Sequence, residues 1–272
     1  MTQRAFIGTS TVRRTFTDEL GTLLNPTSVT CTATADDGTT VTLGSLTNPS
    51  TGLYQRTMTV LVPTLVSVTW VADGVTQVDT IDVQGAPFVT VAELIASDSS
   101  LASKSTSLLP DAIEDAEAEC MSITNIAWTR RYTVETLPVY GGCVRPTWPY
   151  IARIGRVTVS AYGTTQTVAA TDCWLLPGGA LRVPTSVDGA LVEVGYEHGL
   201  REPNREIRRA VLIRARQIAQ TPTAGMPEWS ERATLTEFGV ITRTLPKANA
   251  TGNALVDAIY NRNAYAGGGG IA

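Results

Sequence analysis

Apolar and polar residues alternate through most of the first 85 positions. Val29, Cys31 and Ala33 are separated by threonines, Val66, Val68 and Trp70 alternate with Ser67 and Thr69, and Ile81 and Val83 flank Asp82. A period of two places one apolar face on each segment, the signature of a half-buried β-strand. Asp37-Gly38 and Asp73-Gly74 fall between such runs. A tight hairpin needs positive φ at those points, and glycine supplies it at little steric cost. About seven strands over roughly 80 residues suit a β-sandwich. Gly52-Leu53-Tyr54 follows the turn-rich Asn48-Pro49-Ser50-Thr51. That spacing fits a tyrosine corner, in which a phenol anchors a chain reversal in immunoglobulin-like (Ig-like) domains.

The period changes at Gly85-Ala86-Pro87. Residues 91–97 read as a short helix, with Thr90 as N-cap and Glu93 three positions on. A serine-rich linker covers 99–107. A second helix starts at Pro110, where the missing N–H has no helical partner anyway. Asp111, Glu114 and Asp115 suit the positive end of its dipole, and Ile113, Ala116, Cys120 and Met121 form its apolar stripe. Alternation returns over 127–199, punctuated by Pro177-Gly178-Gly179 and Asp188-Gly189. The best-patterned helix opens at Pro203 and stops before Thr221-Pro222. The expected class is therefore α+β and multidomain. An Ig-like sandwich over 1–86 is followed by a helical domain over 87–221, with a β-rich insertion at 127–199. Residues 222–272 form an extended C-terminal arm.

The arm carries Trp229, Leu235, Phe238, Val240, Leu245, Val256, Ile259, Tyr260 and Tyr265, broken into short pieces by Pro227, Gly239, Pro246 and Gly252. A solvating linker gains nothing from such residues, whereas isolated anchors suit docking into pockets on a neighbour. They are the expected docking residues for an adjacent subunit or another partner.

Charge and chemistry narrow the function. Charged residues are 17% of the chain and the net charge is −4, so bulk composition does not describe a polyanion binder. Cys31, Cys120, Cys143 and Cys173 form no CxxC pair, which suggests buried thiols and synthesis in a cytoplasm. The start of the chain lacks the apolar core of a signal peptide. The stretch 58–72 is too short and too polar to span a bilayer, so no membrane partner is expected. His198 is the single histidine and reads as a loop residue beside Gly199. No Gly-x-Ser-x-Gly elbow, zinc-ligand spacing, Walker loop or Rossmann glycine pattern occurs. The carboxylates at Asp111, Glu114, Asp115, Glu117 and Glu119 lie in one helix, where a solvated face explains most of them. The expectation is a protein with no catalytic residue, cofactor or metal.

The arginines of the last strong helix carry more information. At about 100° per residue, Arg205, Arg209 and Arg216 share one face, opposite Ile207, Val211 and Ile218. That face could be solvated, could meet an acidic neighbour such as the Asp111 and Asp115 face of an adjacent subunit, or could line a DNA passage. No aromatics are interleaved, which argues against a base-stacking site. Arg214 falls about 20° from Ile207, and Glu117 about 40° from Ile113, each inside an apolar stripe. An unpaired buried ion costs several kcal/mol, so the two are expected to pair or to find other buried partners.

The order of these segments resembles head-to-tail connector (adaptor) proteins of long-tailed bacteriophages. The resemblance runs from Val89-Thr90-Val91-Ala92-Glu93-Leu94, through Arg130-Arg131-Tyr132 and Ile154-Gly155-Arg156-Val157-Thr158-Val159, to Ile207-Arg208-Arg209-Ala210-Val211-Leu212-Ile213-Arg214-Ala215. The closing run from Thr251 to Arg262 is similar to a C-terminal signature of connectors in actinobacterial phages. Phe16-Thr17-Asp18, Asp37-Gly38-Thr39 and Gly52-Leu53-Tyr54 resemble the Ig-like decorations of phage structural proteins. The resemblance implies a virion protein of the neck, assembled as a homo-oligomeric, dodecameric ring. Its partners would be the portal above and a neck or tail-completion protein below, with DNA passing without sequence specificity. An Ig-like surface-binding module, adhesin or carbohydrate-binding, is the alternative. It accounts for the sandwich but not for the arginine-rich helix.

Overall fold

The computed structural model describes residues 3–104, 107–184, 188–220, 232–235, 239–242 and 251–265. The chain divides into two compact units, each drawn from separate stretches. Met1–Ala86 packs with Thr129–Arg201, and Pro87–Trp128 packs with Glu202–Ala272. The β-rich stretch expected as an insertion within the helical domain thus packs with the sandwich. The reason is that Tyr132, Arg156 and the Arg130 carbonyl find their partners there, at Asp36 and the Gly85 N–H.

The first part of the β unit is a two-layer sandwich. Its strands are β1 (Gln3–Phe6), β2 (Gly8–Thr15), β3 (Val29–Ala35), β4 (Thr42–Leu43), β5 (Thr47–Ser50), β6 (Leu53–Val60), β7 (Thr64–Ala72) and β8 (Val75–Gln84). One sheet has the order β1-β8-β7-β3, with β1 parallel to β8; the other runs β2-β6-β4, with β5 also on β6. Alternation does its expected work. Cys31, Ala33, Val66, Val68, Trp70, Ile81 and Val83 point inward and meet Val12, Phe16 and Met58 from the facing sheet. Asp37-Gly38 and Asp73-Gly74 both form turns, with φ of +85° at Gly38 and +86° at Gly74.

The expected tyrosine corner is replaced by another device. The Tyr54 ring packs edge-on against Phe16, with centroids 5.6 Å apart, and its hydroxyl makes no hydrogen bond among the described residues. The reversal is held by Asn25, whose Oδ1 accepts the Gly52 N–H at 2.7 Å and the Asn48 amide at 2.9 Å. Gly52 sits at φ +73° with no room for a Cβ, which would meet the Phe16 carbonyl oxygen at 2.7 Å.

The second part of the β unit contains β9 (Arg131–Pro138), β10 (Cys143–Val144), β11 (Ile151–Ala161), β12 (Thr164–Val168), β13 (Trp174–Leu175), β14 (Leu181–Arg182) and β15 (Leu191–His198). They form an antiparallel sheet β12-β11-β15-β9 and a small sheet β10-β14-β13. The core between them is mostly valine, with Leu181, Tyr196, Ala190 and Cys173.

The helical unit contains α1 (Val91–Ser97), α2 (Leu108–Thr124), α3 (Arg205–Gln220) and α4 (Ala254–Asn263). α1 starts at the expected capping box: Glu93 N–H donates to Thr90 Oγ1 at 3.2 Å, and Thr90 N–H donates to Glu93 Oε2 at 2.8 Å. α2 begins two residues before Pro110, which stands third in the helix. A proline is tolerated there because the first four helical N–H groups all lack intrahelical acceptors. α3 begins after Asn204, whose Oδ1 accepts the Ile207 N–H at 2.9 Å. Leu109, Ile113, Ala116, Cys120, Ile207, Ala210, Val211 and Ala215 are among the buried positions of the two long helices.

The chain after α3 departs from an extended arm. α4 is capped by Asn253, whose Oδ1 accepts from the Leu255 N–H at 3.0 Å and the Val256 N–H at 3.3 Å. Its Val256, Ile259 and Tyr260 are buried within the helical unit. Asn204 donates to Asn263 at 3.0 Å, and Tyr265 N–H donates to the Thr124 carbonyl at 2.8 Å, so the C-terminal end of α4 is tied to the rest of the unit. Among the residues between α3 and α4, β16 (Arg232–Leu235) and β17 (Gly239–Thr242) pair as an antiparallel hairpin.

Candidate functional site

The side chains that distinguish the helical unit are charged. Arg214 forms a bidentate pair with Glu119, Nε to Oε2 at 2.5 Å and a terminal nitrogen to Oε1 at 3.0 Å. Each side chain is about a quarter exposed. Glu117 is 1% exposed, and its Oε1 accepts the Phe88 N–H at 2.6 Å. The expected Arg214–Glu117 pair is therefore not formed. Both residues do lie on α2 and α3 as expected, but Glu119 stands where Arg214 reaches. Glu117 instead secures the chain entering α1, a use of a buried carboxylate that satisfies a backbone donor.

The other arginines of α3 divide into paired and unpaired. Arg208 bonds Glu93 at 2.5 Å, and Glu206 bonds Arg262 of α4 at 2.8 Å, both on the surface. The Thr90 backbone N–H, helped by the Thr90 hydroxyl and Arg208, holds the Glu93 carboxyl below the usual range. Arg205 and Arg209 are exposed and Arg216 half-buried, all three away from Ile207, Val211 and the other buried positions of α3. None of the three forms an ion pair among the described residues. Arg216 is near enough to Asp98 to help keep its carboxyl low, after the two hydrogen bonds from Ser100. On α2, Asp111 and Asp115 are exposed, and neither forms an ion pair among the described residues.

The expected docking anchors fall into three groups. Val256, Ile259 and Tyr260 serve the unit's own core, so they are corrected from partner contacts to internal packing. The Tyr260 phenol lies against Cys120; burial pushes the Cys120 thiol up to about 12 and raises the phenol as well. Tyr265 is 39% exposed at the end of α4. Trp229, Phe238 and Leu245 lie outside the described residues. Leu235 and Val240 belong to the β16–β17 hairpin, of which only the backbone is described.

His198 is not a loop residue. It ends β15, is 1% exposed, and stacks on Trp148 with ring centroids 5.1 Å apart. Its Nε2 lies 2.9 Å from the Thr133 hydroxyl. Burial, with a smaller effect from Arg131, depresses its pKa from 6.5 to about 4, so it is neutral in the fold at ordinary pH. The sequence carried a signal for this: Val192, Val194, Tyr196 and His198 continue one inward-facing alternation.

Sequence reasoning missed a polar junction inside the β unit. Tyr132 on β9 donates its hydroxyl to Asp36 Oδ2 at 2.7 Å, across from the β3–β4 turn. Arg156 Nε stands 3.3 Å from Asp36 Oδ1, and Arg156 also pairs with Glu193. Arg153 reaches Asp37 at 3.3 Å and Glu197 at 3.5 Å. Gly155 and Gly195 lie under the Tyr132 ring, and a methyl group on either would overlap the hydroxyl. Isolated glycines inside strand patterns are the available clue to such an approach. Gly85 N–H to the Arg130 carbonyl, at 2.7 Å, adds a backbone tie between the two halves of the unit. All of these groups serve cohesion.

All four cysteines are free thiols, with Cys143 half-buried and the others buried. Among the described residues, no group of three or more His, Cys, Asp or Glu side chains is placed to hold a metal ion. Among those residues, too, no helix is long and apolar enough to cross a membrane.

No family model matches the chain, and no curated protein matches it. Solved structures with similar folds include a chain from the neck of an empty GTA particle computed with C6 symmetry. It is 19% identical, with TM-score 0.43, 65% of this chain and 89% of that chain covered. A chain from the neck of the native GTA particle computed with C12 symmetry is 18% identical, with TM-score 0.41, covering 66% and 93%. The filamin domain of Lin-41 is 17% identical, with TM-score 0.28, covering 31% of this chain and 85% of that one.

Proposed function

We propose that the chain is a non-catalytic structural protein of a bacteriophage virion, a head-to-tail adaptor. It forms a ring below the portal and joins the DNA-filled head to the neck or tail. The observation that carries this is the helical unit. Stretches more than 70 residues apart, Pro87–Trp128 and Glu202–Ala272, converge on one helical core. The segment order is the one the connector resemblance implies. The run from Thr251 to Arg262 holds α4 with its cap and its buried anchors, so that signature has a structural purpose. Outside this core Arg205, Arg209, Asp111 and Asp115 form no ion pair among the described residues, as expected of a subunit that pairs with a neighbour.

The surface-binding alternative draws on one observation in the β unit. Tyr140, Cys143, Arg182 and Trp174 are cross-strand partners in sequence across the small sheet. Tyr140 is 75% and Trp174 55% exposed, with the exposed Arg182 between them. Aromatics and arginine are the residue types that dominate binding hot spots.

Depletion separates the two readings. A phage producing no functional copy should accumulate DNA-filled heads and free tails that do not join under the adaptor reading. Complete particles that fail only to adhere to cells would favour the surface-binding one.

A further inference from the structure

The helical unit carries two stripes of matching spacing and opposite charge. On α3, Arg205, Arg209 and Arg216 stand at i, i+4 and i+11, with the half-buried Leu212 at i+7. On α2, Asp111 and Asp115 stand at i and i+4, with the exposed Ala118 and Ser122 at i+7 and i+11. At about 100° per residue, these four positions stay within a stripe about 60° wide on either helix. The pattern is therefore a continuous ridge on both, cationic on one and anionic with small side chains on the other.

The charges around these stripes are already engaged. Arg208 holds Glu93, Arg214 holds Glu119, and Glu206 holds Arg262. Arg205, Arg209, Asp111 and Asp115 form no ion pair among the described residues. Arg216 stands near Asp98, whose carboxylate also accepts from Ser100 and Gln220.

We infer that the arginine stripe of one copy docks on the aspartate stripe of the next copy. This rests on the ring reading above and names its contact. With the two helices side by side and parallel, Arg205 and Arg209 meet the Asp111 and Asp115 carboxylates, and Leu212 lies over Ala118. Small residues at i+7 and i+11 allow the close approach that the leucine needs. Guanidinium and carboxylate match as bidentate partners, so the pairing fixes register as well as supplying attraction. The two surfaces differ, so each copy that offers its arginines keeps its aspartates free for another. A contact of this heterologous kind repeats, and it closes into a ring when the rotation allows. The occupant is a second copy rather than DNA because the same chain supplies a stripe of complementary sign and equal pitch.

Charge reversal in two full-length proteins tests this. One carries Arg205→Glu and Arg209→Glu, which makes both of its stripes acidic. The other carries Asp111→Arg and Asp115→Arg, which makes both basic. Sedimentation velocity at about 0.1 M salt, where exposed charges still act over roughly 10 Å, reads the assembly. Each variant alone should associate roughly 100-fold more weakly than wild type, because like charges face each other. The equimolar mixture should recover assemblies with equal numbers of the two, since every contact is then between opposite charges. That recovery also shows that both variants are folded. Variants that assemble alone as wild type does, or a mixture that stays monomeric, would overturn the proposal. So would loss of DNA retention in the acidic variant with assembly unchanged, which assigns the arginines to a DNA passage. A mixture that stays monomeric while wild type assembles would leave the adaptor role standing, because a ring can close through a different contact.

Discussion

The β unit and the helical unit handle charge in opposite ways. In the β unit, Asp36 takes Tyr132 and Arg156, which also pairs with Glu193, while Arg153 joins Asp37 and Glu197, all between its two halves. In the helical unit, Arg214 and Glu119 are paired, while Arg205, Arg209, Asp111 and Asp115 are left facing out. Exposed ion pairs contribute little to stability, with a median of about 0–1 kcal/mol. Outward charges of this kind therefore add little to the cohesion of the unit, and Arg205, Arg209, Asp111 and Asp115 have no ion-pair partner among the described residues. The β unit reads as a body whose polar groups turn inward for cohesion. The helical unit turns several of them outward, where the proposed contact between copies would use them.

The largest effect that could break this comparison lies at Tyr260. If α4 belongs to the helical core, Tyr260→Ala should cost about 3–5 kcal/mol, the range for deleting a large buried side chain. Urea denaturation followed by far-UV circular dichroism checks it. A cost below about 1 kcal/mol would return α4 to the status of a docking arm. By the same reasoning, removing residues 251–272 should unfold the helical unit rather than trim a dispensable tail.

The next effect is a pH dependence confined to the β unit. His198 has its folded pKa depressed from 6.5 to about 4, so the unfolded chain binds the proton more readily. Its contribution is complete above pH 6.5 and is lost as pH falls from there to about 4. The loss amounts to about 3 kcal/mol on the scale of 1.36 kcal/mol per pKa unit. Denaturation of wild type and His198→Gln between pH 7.5 and 4 gives the comparison. The variant should be less stable at pH 7.5 but lose less over the window; parallel curves would show that the ring is not held neutral.

The junction of the β unit should respond at the level of about 1–3 kcal/mol to Gly195→Ala, the cost of overfilling a packed site. The added methyl meets both the Tyr132 hydroxyl and Asp36 Oδ2. A neutral substitution would mean that the Tyr132 ring is free to move aside and that the two halves cohere without it. The smallest effect is expected for Arg214→Met, about 1–2 kcal/mol. Glu119, the carboxylate it strands, is partly exposed and can be rehydrated, unlike a buried one. A cost of about 3–5 kcal/mol would mean that the pair is more deeply desolvated in the fold than its exposure indicates.

Much of the fold was legible because it is set by neighbours along the chain. Strand alternation, the Thr90–Glu93 capping box and the Asp-Gly turns all depend on a few consecutive residues, and they stand where the pattern put them. Misreadings arose where the partner is distant. A helical wheel puts Arg214 near an apolar stripe, but it cannot tell Glu117 from Glu119 on another helix. Tyr54 has the spacing of a corner tyrosine, yet Asn25, far back in the chain, had already taken the turn. The anchors of α4 are apolar in either reading, and only the tertiary fold shows that they fill the chain's own core. Of the candidate site, the outward arginines and aspartates were legible from helical period alone. That they form no ion pair among the described residues was not, because it depends on where distant charges end up.

The adaptor assignment is tested most directly by electron cryomicroscopy of intact particles, with this chain fitted to the density between head and tail. The account predicts a closed ring of copies beneath the portal, in which the helical units touch one another and bring α3 of each copy against α2 of the next. Density for the chain on the capsid surface or a tail fibre, with none at the junction of head and tail, would contradict it.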